Sequence, residues 1–344
     1  MRPSHKLNFS VVPSFGYSLS TGLAGNVVAN VAFYTSKDHK ENLSFINGEG
    51  VIDTKKQRIF INRSEIWGAD NQYKFTTDIR FERYPSDDYG LGTQSTNADD
   101  RKLDYNYTRF YGTFLKKVSD SFYAGLGYNY DYHYNIKDSL SGNNRDFEKY
   151  GRSSYSVSSG GVATLLFDNR VNAINPLQGA YASVIFRQNA AFLGSDAGWR
   201  SVLVDVRKYF RPIDGSNNVL AFWGMGWFSS SKTPYLDLPA TGQDTYNNAG
   251  RGYIQGRFRG RNMLYVEGEY RFGVTPNGLI GGVVFANGQS FSNLTENKLA
   301  GFAPAGGAGL RVKINKHSNT NICIDYGVGI RGSKGLFVNL GEVF

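Results

Sequence analysis

The sequence has 344 residues, of which 41 are Gly, 24 are Phe and 23 are Tyr, against one Cys and three Met. Glycine exceeds its usual share of about 7%, and an aromatic content of 15% excludes a disordered chain. The net charge of +9 comes from 38 basic and 29 acidic residues, and the single cysteine excludes an intramolecular disulfide framework.

Hydropathy limits the class of protein further. The mean hydropathy of −0.39, taken alone, is typical of a water-soluble chain. No window reaches the run of about 18 apolar residues that a membrane-spanning helix needs. The longest apolar runs, such as residues 26–34 and 278–286, have the length of strands. A membrane protein built from helices is therefore excluded.

Apolar and polar residues alternate with period two along most of the chain, which predicts strands with two different faces. In residues 121–136, one face carries Phe122, Ala124, Leu126, Tyr128, Tyr130, Tyr132, Tyr134 and Ile136, and the other carries Tyr123, Gly125, Gly127, Asn129, Asp131, His133 and Asn135. About sixteen such segments follow one another, centred on Val11, Ala29, Phe45, Ile61, Thr77, Thr108, Leu126, Val162, Val184, Val204, Trp223, Glu267, Val283, Leu310, Ile324 and Val338. The pattern predicts an all-β protein.

The length of these segments distinguishes a water-soluble β-sandwich from a transmembrane β-barrel. Strands of water-soluble sandwiches usually have about 5–6 residues. The segments here have about ten, which is the length that crosses a bilayer at a tilt. Apolar and polar alternation with many aromatics, in an even number of strands, is typical of bacterial outer-membrane barrels. We therefore expect a transmembrane antiparallel β-barrel of about 16 strands rather than a soluble sandwich.

The predicted connections alternate between short and long. Residues 67–71, 118–121 and 274–278 are short connections, and residues 83–103, 136–153 and 229–262 are long ones. In outer-membrane barrels the short turns face the periplasm and the long loops face outward. Both chain ends then fall on the short-turn side. Residues 1–344 are expected to form a single barrel domain in the bacterial outer membrane.

Four short motifs occur along these predicted strands and loops. In chain order they are Pro13 and Tyr17 in the first strand; Asp168, Arg170, Asn172, Pro176 and Gly179 in one connection; Arg251, Gly252 and Tyr253 in a long loop; and the ending Gly341-Glu-Val-Phe344, toward which Leu336, Val338 and Leu340 alternate. Together they resemble the BamA/TamA-like outer-membrane assembly and translocation barrels over essentially the whole chain. The ending, in which the last strand stops at an aromatic residue, resembles the assembly signal of outer-membrane proteins.

This resemblance implies that the long loop folds back into the barrel. It implies that Arg251 is the arginine of the loop, that Gly252 permits close backbone approach, and that Tyr253 packs beside it. Glu269 matches a glutamate of the inner wall, and its place in the alternation makes it inward-facing. A carboxylate there would give a lumenal guanidinium charge-assisted hydrogen bonds. Asn287 stands where the family has an inward aspartate, so we expect it to be a neutral contact of the loop.

Several glycines fall on the predicted inward faces. They include Gly125 and Gly127 in one strand and Gly327 and Gly329 in another. Because glycine has no side chain, these positions would leave space beneath an inserted loop. A bulky residue at Gly327 is therefore expected to disturb the loop.

The family resemblance implies a role in outer-membrane protein biogenesis or transport. Family members that assemble or export proteins carry periplasmic POTRA domains before the barrel. Only residues 1–5 precede the first predicted strand, so we expect a barrel-only member without POTRA domains. The implied partners are outer-membrane lipids including lipopolysaccharide, periplasmic or outer-membrane accessory proteins, and client proteins. The alternatives are a passive or loop-plugged channel and a structural barrel that binds partners.

Other classes of function lack support in the sequence. His133 lies near Asp131, but neighbours on one face of a lumenal strand are expected by chance. There is no Gly-x-Ser-x-Gly elbow and no metal-ligand spacing, so we expect no catalytic residue, no metal and no cofactor. Basic residues are interleaved with acidic ones and form no basic stripe, which argues against nucleic-acid binding. The surplus positive charge is expected to face the lumen and anionic lipid headgroups.

Overall fold

The computed structural model describes residues 8–38, 41–139, 143, 145–151, 153–213, 215–293, 297–315 and 319–344. The first strands are β1 (Asn8–Ser18), β2 (Gly22–Phe33), β3 (Ser44–Asp53), β4 (Arg58–Trp67), β5 (Tyr73–Arg83), β6 (Ser86–Asp88), β7 (Arg101–Ser119) and β8 (Phe122–Asp138). They are followed by β9 (Tyr155–Asp168), β10 (Gly179–Asn189), β11 (Trp199–Phe210), β12 (Val219–Ser229), β13 (Asn262–Gly273), β14 (Ile280–Phe291), β15 (Ala303–Asn315), β16 (Thr320–Gly329) and β17 (Lys334–Leu340). Helical elements among these residues are α1 (Asp146–Gly151) and the 3-10 turns Ala69–Asn71, Asn97–Asp99, Ala191–Leu193 and Tyr235–Asp237.

The strands form one antiparallel sheet in which successive strands pair. Every predicted strand centre, from Val11 to Val338, lies in a separate strand, so the prediction of an all-β barrel of about 16 strands is confirmed. The additional strand, β6, has three residues and pairs with the first residues of β7. It extends the sheet beyond the part of β7 that pairs with β5.

The two faces of the sheet have the predicted character. In β8 the side chain of Leu126 is 72% exposed on the outer face, whereas Asp131 on the inner face is 1% exposed. Arginines are also buried on the inner face, among them Arg187 and Arg271. Burying charge inside while exposing leucine and phenylalanine outside is the reverse of a water-soluble domain. The alternation is therefore that of a barrel with a polar interior and an apolar outer surface.

Successive connections lie at opposite ends of the barrel because the strands alternate in direction. The strand ends that flank connections 84–100, 139–154, 190–198, 230–261 and 292–302 lie at one end, called here the long-loop end. Those that flank connections 68–72, 120–121, 211–218, 274–279 and 316–319 lie at the other, called the short-turn end. The prediction that connections at one end are long and those at the other are short holds only in part. Connections 19–21, 54–57 and 330–333 are short although they lie at the long-loop end. In the part of the chain that the structure describes, no helix is long and apolar enough to cross a membrane.

The last strand differs from the prediction. β17 ends at Leu340, and the chain then turns at Gly341, whose φ is +87°. Phe344 is 3% exposed and belongs to the largest buried apolar cluster together with Trp223 and Tyr209. The expectation that the final strand runs on to an aromatic at Phe344 is therefore wrong. The physical reason is that a positive φ, which glycine adopts readily, sends the chain into the lumen before the strand can continue.

The candidate functional site in the barrel lumen

The connection between β12 and β13, residues 230–261, folds into the lumen and is called here the inserted loop. Its inner part is organised by its own hydrogen bonds. The amide of Thr241 donates to the carbonyl of Phe258 over 2.9 Å, which brings the two arms of the loop together. Asp244 accepts from the amides of Asn248 at 2.9 Å and Ala249 at 2.8 Å. These bonds fix the tight turn that presents Arg251 to the wall.

Arg251 lies inside the barrel and is 1% exposed. Its guanidinium donates to Asp325 of β16 over 2.5 Å and to Glu267 and Glu269 of β13. The ring centre of Phe285 in β14 lies 3.8 Å from its central carbon, within the range of a cation–π contact. One loop arginine thus ties the loop to β13, β14 and β16.

Three carboxylates around one guanidinium would repel each other if no other cation were present. Arg271 donates to Glu269 over 2.5 Å, and Arg311 donates to Asp325 over 2.5 Å. These two wall arginines complete an alternating set of charges in a site closed to solvent. Buried charges persist only when paired and hydrogen-bonded, and removing one member of such a set typically costs about 3–5 kcal/mol. The site is therefore built to hold Arg251 strongly.

Gly252 and Tyr253 make the close contacts that follow Arg251. Gly252 has a φ of +104°, and a Cβ at this position would lie 2.9 Å from the Cβ of Ala305. The hydroxyl of Tyr253 donates to the carbonyl of Pro304 over 2.6 Å and accepts from the amide of Ile330 at 3.1 Å. The loop therefore contacts β15 and the end of β16 through its backbone and a tyrosine.

The sequence-predicted partners of the loop both contact Arg251, but in different ways. Glu269 accepts from the guanidinium, whereas Asn287 donates its amide to the main-chain carbonyl of Arg251 over 2.9 Å. Sequence reasoning did not identify Glu267 and Asp325 as partners. Both lie on predicted inward faces, so their positions in the period-two alternation indicated that they point into the lumen. The alternation alone does not indicate which inward carboxylate contacts the loop.

The turn motif between β9 and β10 lies at the short-turn end, away from the loop arginine. Arg170 binds Asp168 through two hydrogen bonds of 2.9 and 2.8 Å. Asn172 accepts from two following amides, and Gly179 has a φ of +108°. The carbonyl of Pro176 accepts from Arg271 at 3.4 Å. The motif thus forms a tight connection that contacts the wall arginine beneath Glu269.

A second part of the inserted loop docks on β8 and β9. Ser158 donates to Asp237 over 2.6 Å, and Nδ1 of His133 lies 3.7 Å from the other carboxylate oxygen of Asp237. Asp131 binds Arg187 over 2.5 Å. Because Asp237 rather than His133 is the acceptor of the serine hydroxyl, the order of groups is not that of a nucleophile activated by a histidine. This cluster anchors the loop.

The Asp237 anchor predicts a dependence of loop docking on pH. Burial, together with the nearby charge of Asp131, raises the pKa of the Asp237 carboxyl to about 7 from 3.8. Between these values the docked loop holds a proton that a released loop gives up, so docking weakens by roughly 1.4 kcal/mol per unit of rising pH, up to about pH 7. Planar-bilayer recordings should show more frequent opening at pH 8 than at pH 5.5. An Asp237→Asn variant, which cannot titrate, should lose this difference; an equal difference in the variant would assign it to another group.

No group of three or more His, Cys, Asp or Glu side chains suited to a metal ion occurs within the described residues. The lumenal charges are instead arranged as arginine–carboxylate pairs. Such pairs hold the long inserted loop in place.

Comparison with known proteins adds the fold relationship. No protein-family model and no curated protein sequence matches the chain. Among solved structures, BamA from Haemophilus ducreyi lacking POTRA domains 1–3 aligns with 98% of this chain and 70% of its own, at 14% identity and a TM-score of 0.63. CdiB from Acinetobacter baumannii (97% of this chain, 13% identity, TM-score 0.60) and CdiB from Escherichia coli (96%, 11%, 0.63) are also similar.

The chain spans 59% and 61% of the two CdiB chains, so about two fifths of each lies outside the match. Each of the three alignments covers at least 96% of this chain. The chain therefore has the fold of the outer-membrane barrels BamA and CdiB.

Proposed function

We propose that this protein is a bacterial outer-membrane barrel that inserts or translocates client proteins, acting with accessory proteins. The fold shared with BamA and CdiB and the inserted loop held by Arg251 support a role of this kind. The apolar outer face supports a position in the outer membrane, where we expect lipids including lipopolysaccharide to be among its partners.

The observation that carries the proposal is the junction between the first and last strands. Fifteen neighbouring pairs of long strands are joined by residue-by-residue ladders. β1 and β17 lie side by side, but no ladder joins them in the described part of the chain. Without a ladder, separating two strands inside a membrane breaks few backbone hydrogen bonds. A junction of this kind can open to admit a client strand.

Local sequence at the junction favours weak pairing. Pro13 in β1 cannot donate a ladder hydrogen bond. Leu19, which directly follows β1, covers Gly335 of β17, because a Cβ at Gly335 would lie 2.5 Å from Cγ of Leu19. Packing of one leucine on one glycine is easier to break than a ladder of hydrogen bonds.

The test of the proposal is to close the junction with a disulfide. Leu19→Cys and Gly335→Cys, in a Cys323→Ala background, place two thiols where the leucine side chain now covers the glycine. Proteoliposomes carrying the oxidised variant should fold an urea-unfolded outer-membrane protein at least about tenfold more slowly than the reduced variant, since the strands can no longer separate. The reduced form of the same protein is the matched control. Equal rates in both forms would argue against insertion through this junction.

A loop-plugged channel is the second candidate function, and the observation that favours it is the filled lumen. The inserted loop buries Arg251, Tyr253 and Phe258 in the barrel interior. A barrel closed in this way conducts poorly, so small and irregular currents in planar bilayers are expected. Large steady currents through the unaltered protein would favour a channel over an insertion barrel.

A further inference from the structure

Residues 341–344, called here the tail, leave β17 and enter the lumen at the short-turn end. Gly341 donates its amide to the carbonyl of Asn321 over 2.8 Å, which fixes the turn. Asn321 lies at the start of β16, next to the connection 316–319. Val343 and Phe344 are each 3% exposed. The tail thus occupies the interior as a packed part of the fold.

The aromatic ring of Phe344 fills an apolar pocket in the wall. Its centre lies 5.2 Å from that of Trp223 and 6.2 Å from that of Tyr209. Tyr209 stands near the end of β11, again at the short-turn end. Val343 belongs to the same cluster, which also contains Tyr253 of the inserted loop. Apolar packing therefore joins the tail and the loop in one buried cluster.

The tail is also held by charge. The Glu342 carboxylate, 1% exposed, accepts from Arg311 at 2.8 Å and from the amide of Asn321 at 2.7 Å. Arg271 lies 3.6 Å from the same carboxylate and donates to the main-chain oxygen of Phe344 over 2.8 Å. These are charge-assisted bonds in a site closed to solvent, where such bonds are strong.

The same two arginines also hold the carboxylates that bind the loop. Arg271 pairs with Glu269, and Arg311 pairs with Asp325. Glu269 and Asp325 in turn bind Arg251. Glu342 is therefore linked to Arg251 through two intervening groups, an arginine and a carboxylate, and it restrains the arginines that orient the loop's partners.

One direct bond joins the tail to the inserted loop. The side-chain amide of Asn248 donates to the main-chain oxygen of Val343 over 2.8 Å. Asn248 is itself held by Asp244, which fixes the turn before Arg251. Movement of the tail would therefore pull directly on the turn that carries the loop arginine.

We propose that the tail is a latch: packed inside the lumen at the short-turn end, it holds the inserted loop in its docked position. The observations that carry this are the shared arginines, the Asn248 bond and the common apolar cluster. A latch of this kind operates equally in an insertion barrel and in a closed channel, so it does not rest on the proposed function. Displacing the tail would loosen the loop without breaking any contact made by Arg251 itself.

The native cysteine provides a reporter for the position of the tail. Cys323, on the inner face of β16, is fully buried, and its sulfur lies 3.1 Å from the carbonyl oxygen of Gly341. A charged, membrane-impermeant thiosulfonate can reach this thiol only when the tail moves away. Because the sequence contains one cysteine, no other thiol reacts.

The experiment compares Glu342→Gln and Phe344→Ala with the unaltered protein in liposomes. Each variant removes contacts worth about a factor of ten or more in the docked population, so labelling of Cys323 should accelerate about tenfold or more, and trypsin should cleave the inserted loop faster. Phe210→Ala, which removes an outward-facing aromatic, is the matched control and should leave Cys323 protected.

Heat-modifiable migration in gels verifies that each variant forms a barrel. If Phe344→Ala does not fold, Glu342→Gln, which conserves side-chain volume, still tests the proposal. Cys323 that stays protected in the folded variants would overturn the latch. So would a Cys323 that reacts freely while the inserted loop remains resistant to trypsin, because the tail would then move without affecting the loop. These readouts follow the tail and the loop, and they are separate from the rate of client insertion.

Discussion

Replacing Arg251 with alanine is expected to release the inserted loop from the lumen. The change leaves Glu267, Glu269 and Asp325 facing one another with only Arg271 and Arg311 to balance them. Removing one member of a buried ion set costs about 3–5 kcal/mol, enough to shift a docked loop toward a released one by a factor of a hundred or more. The barrel itself should remain, because its ladders do not involve Arg251.

Limited trypsin digestion measures this release. Arg257 and Arg259 lie in the same loop and are 3% and 5% exposed when it is docked. The Arg251→Ala variant should be cut at these sites while the unaltered protein is not, and its bilayer currents should increase. Arg101→Ala is the matched control, since Arg101 is also a buried arginine paired with two carboxylates, Asp138 and Glu148, that lie outside the loop. A trypsin-resistant loop in Arg251→Ala would show that other contacts suffice to hold it.

Adding a side chain at Gly327, in the barrel wall that the loop contacts, is also expected to displace the loop. A Cβ at this position would lie 2.6 Å from the amide nitrogen of Gly252 and 3.1 Å from the carbonyl carbon of Arg251. Both are backbone atoms, so neither can rotate away. Overpacking of this kind costs about 1–3 kcal/mol. Gly327→Ala should therefore expose the loop to trypsin in part, and Gly327→Phe should expose it fully.

Gly224→Ala provides the control for the backbone effect of the substitution. Gly224 is also a strand glycine, in β12, but a Cβ there would meet no atom within 4 Å. Its variant should keep the loop resistant to trypsin and the barrel stable in heated gels. If Gly327→Phe left the loop as resistant as Gly224→Ala does, the idea that inward glycines make room for the loop would be refuted.

The sequence by itself determined the strands, their faces and the identity of the loop arginine. An outer-membrane strand must expose apolar groups to lipid and keep polar ones inside, so period-two alternation is imposed at every residue. This is why all sixteen predicted centres fall in separate strands and why Asp131 and Glu269 face inward. The same rule explains why the mean hydropathy is negative although 15% of the residues are aromatic: averaging over two opposite faces hides the apolar one.

Only the tertiary structure decided which inward groups meet across the lumen. Asp325 and Glu267 share their parity with many other polar residues, and their distance to Arg251 depends on how the loop enters and how the barrel closes. The direction of the tail was decided in the same way. Alternation in β17 favours a strand that continues toward Phe344, but Gly341 allows a turn, and Arg271, Arg311 and Trp223 stabilise the chain inside. Contacts between residues far apart in sequence, which no local pattern encodes, set that balance.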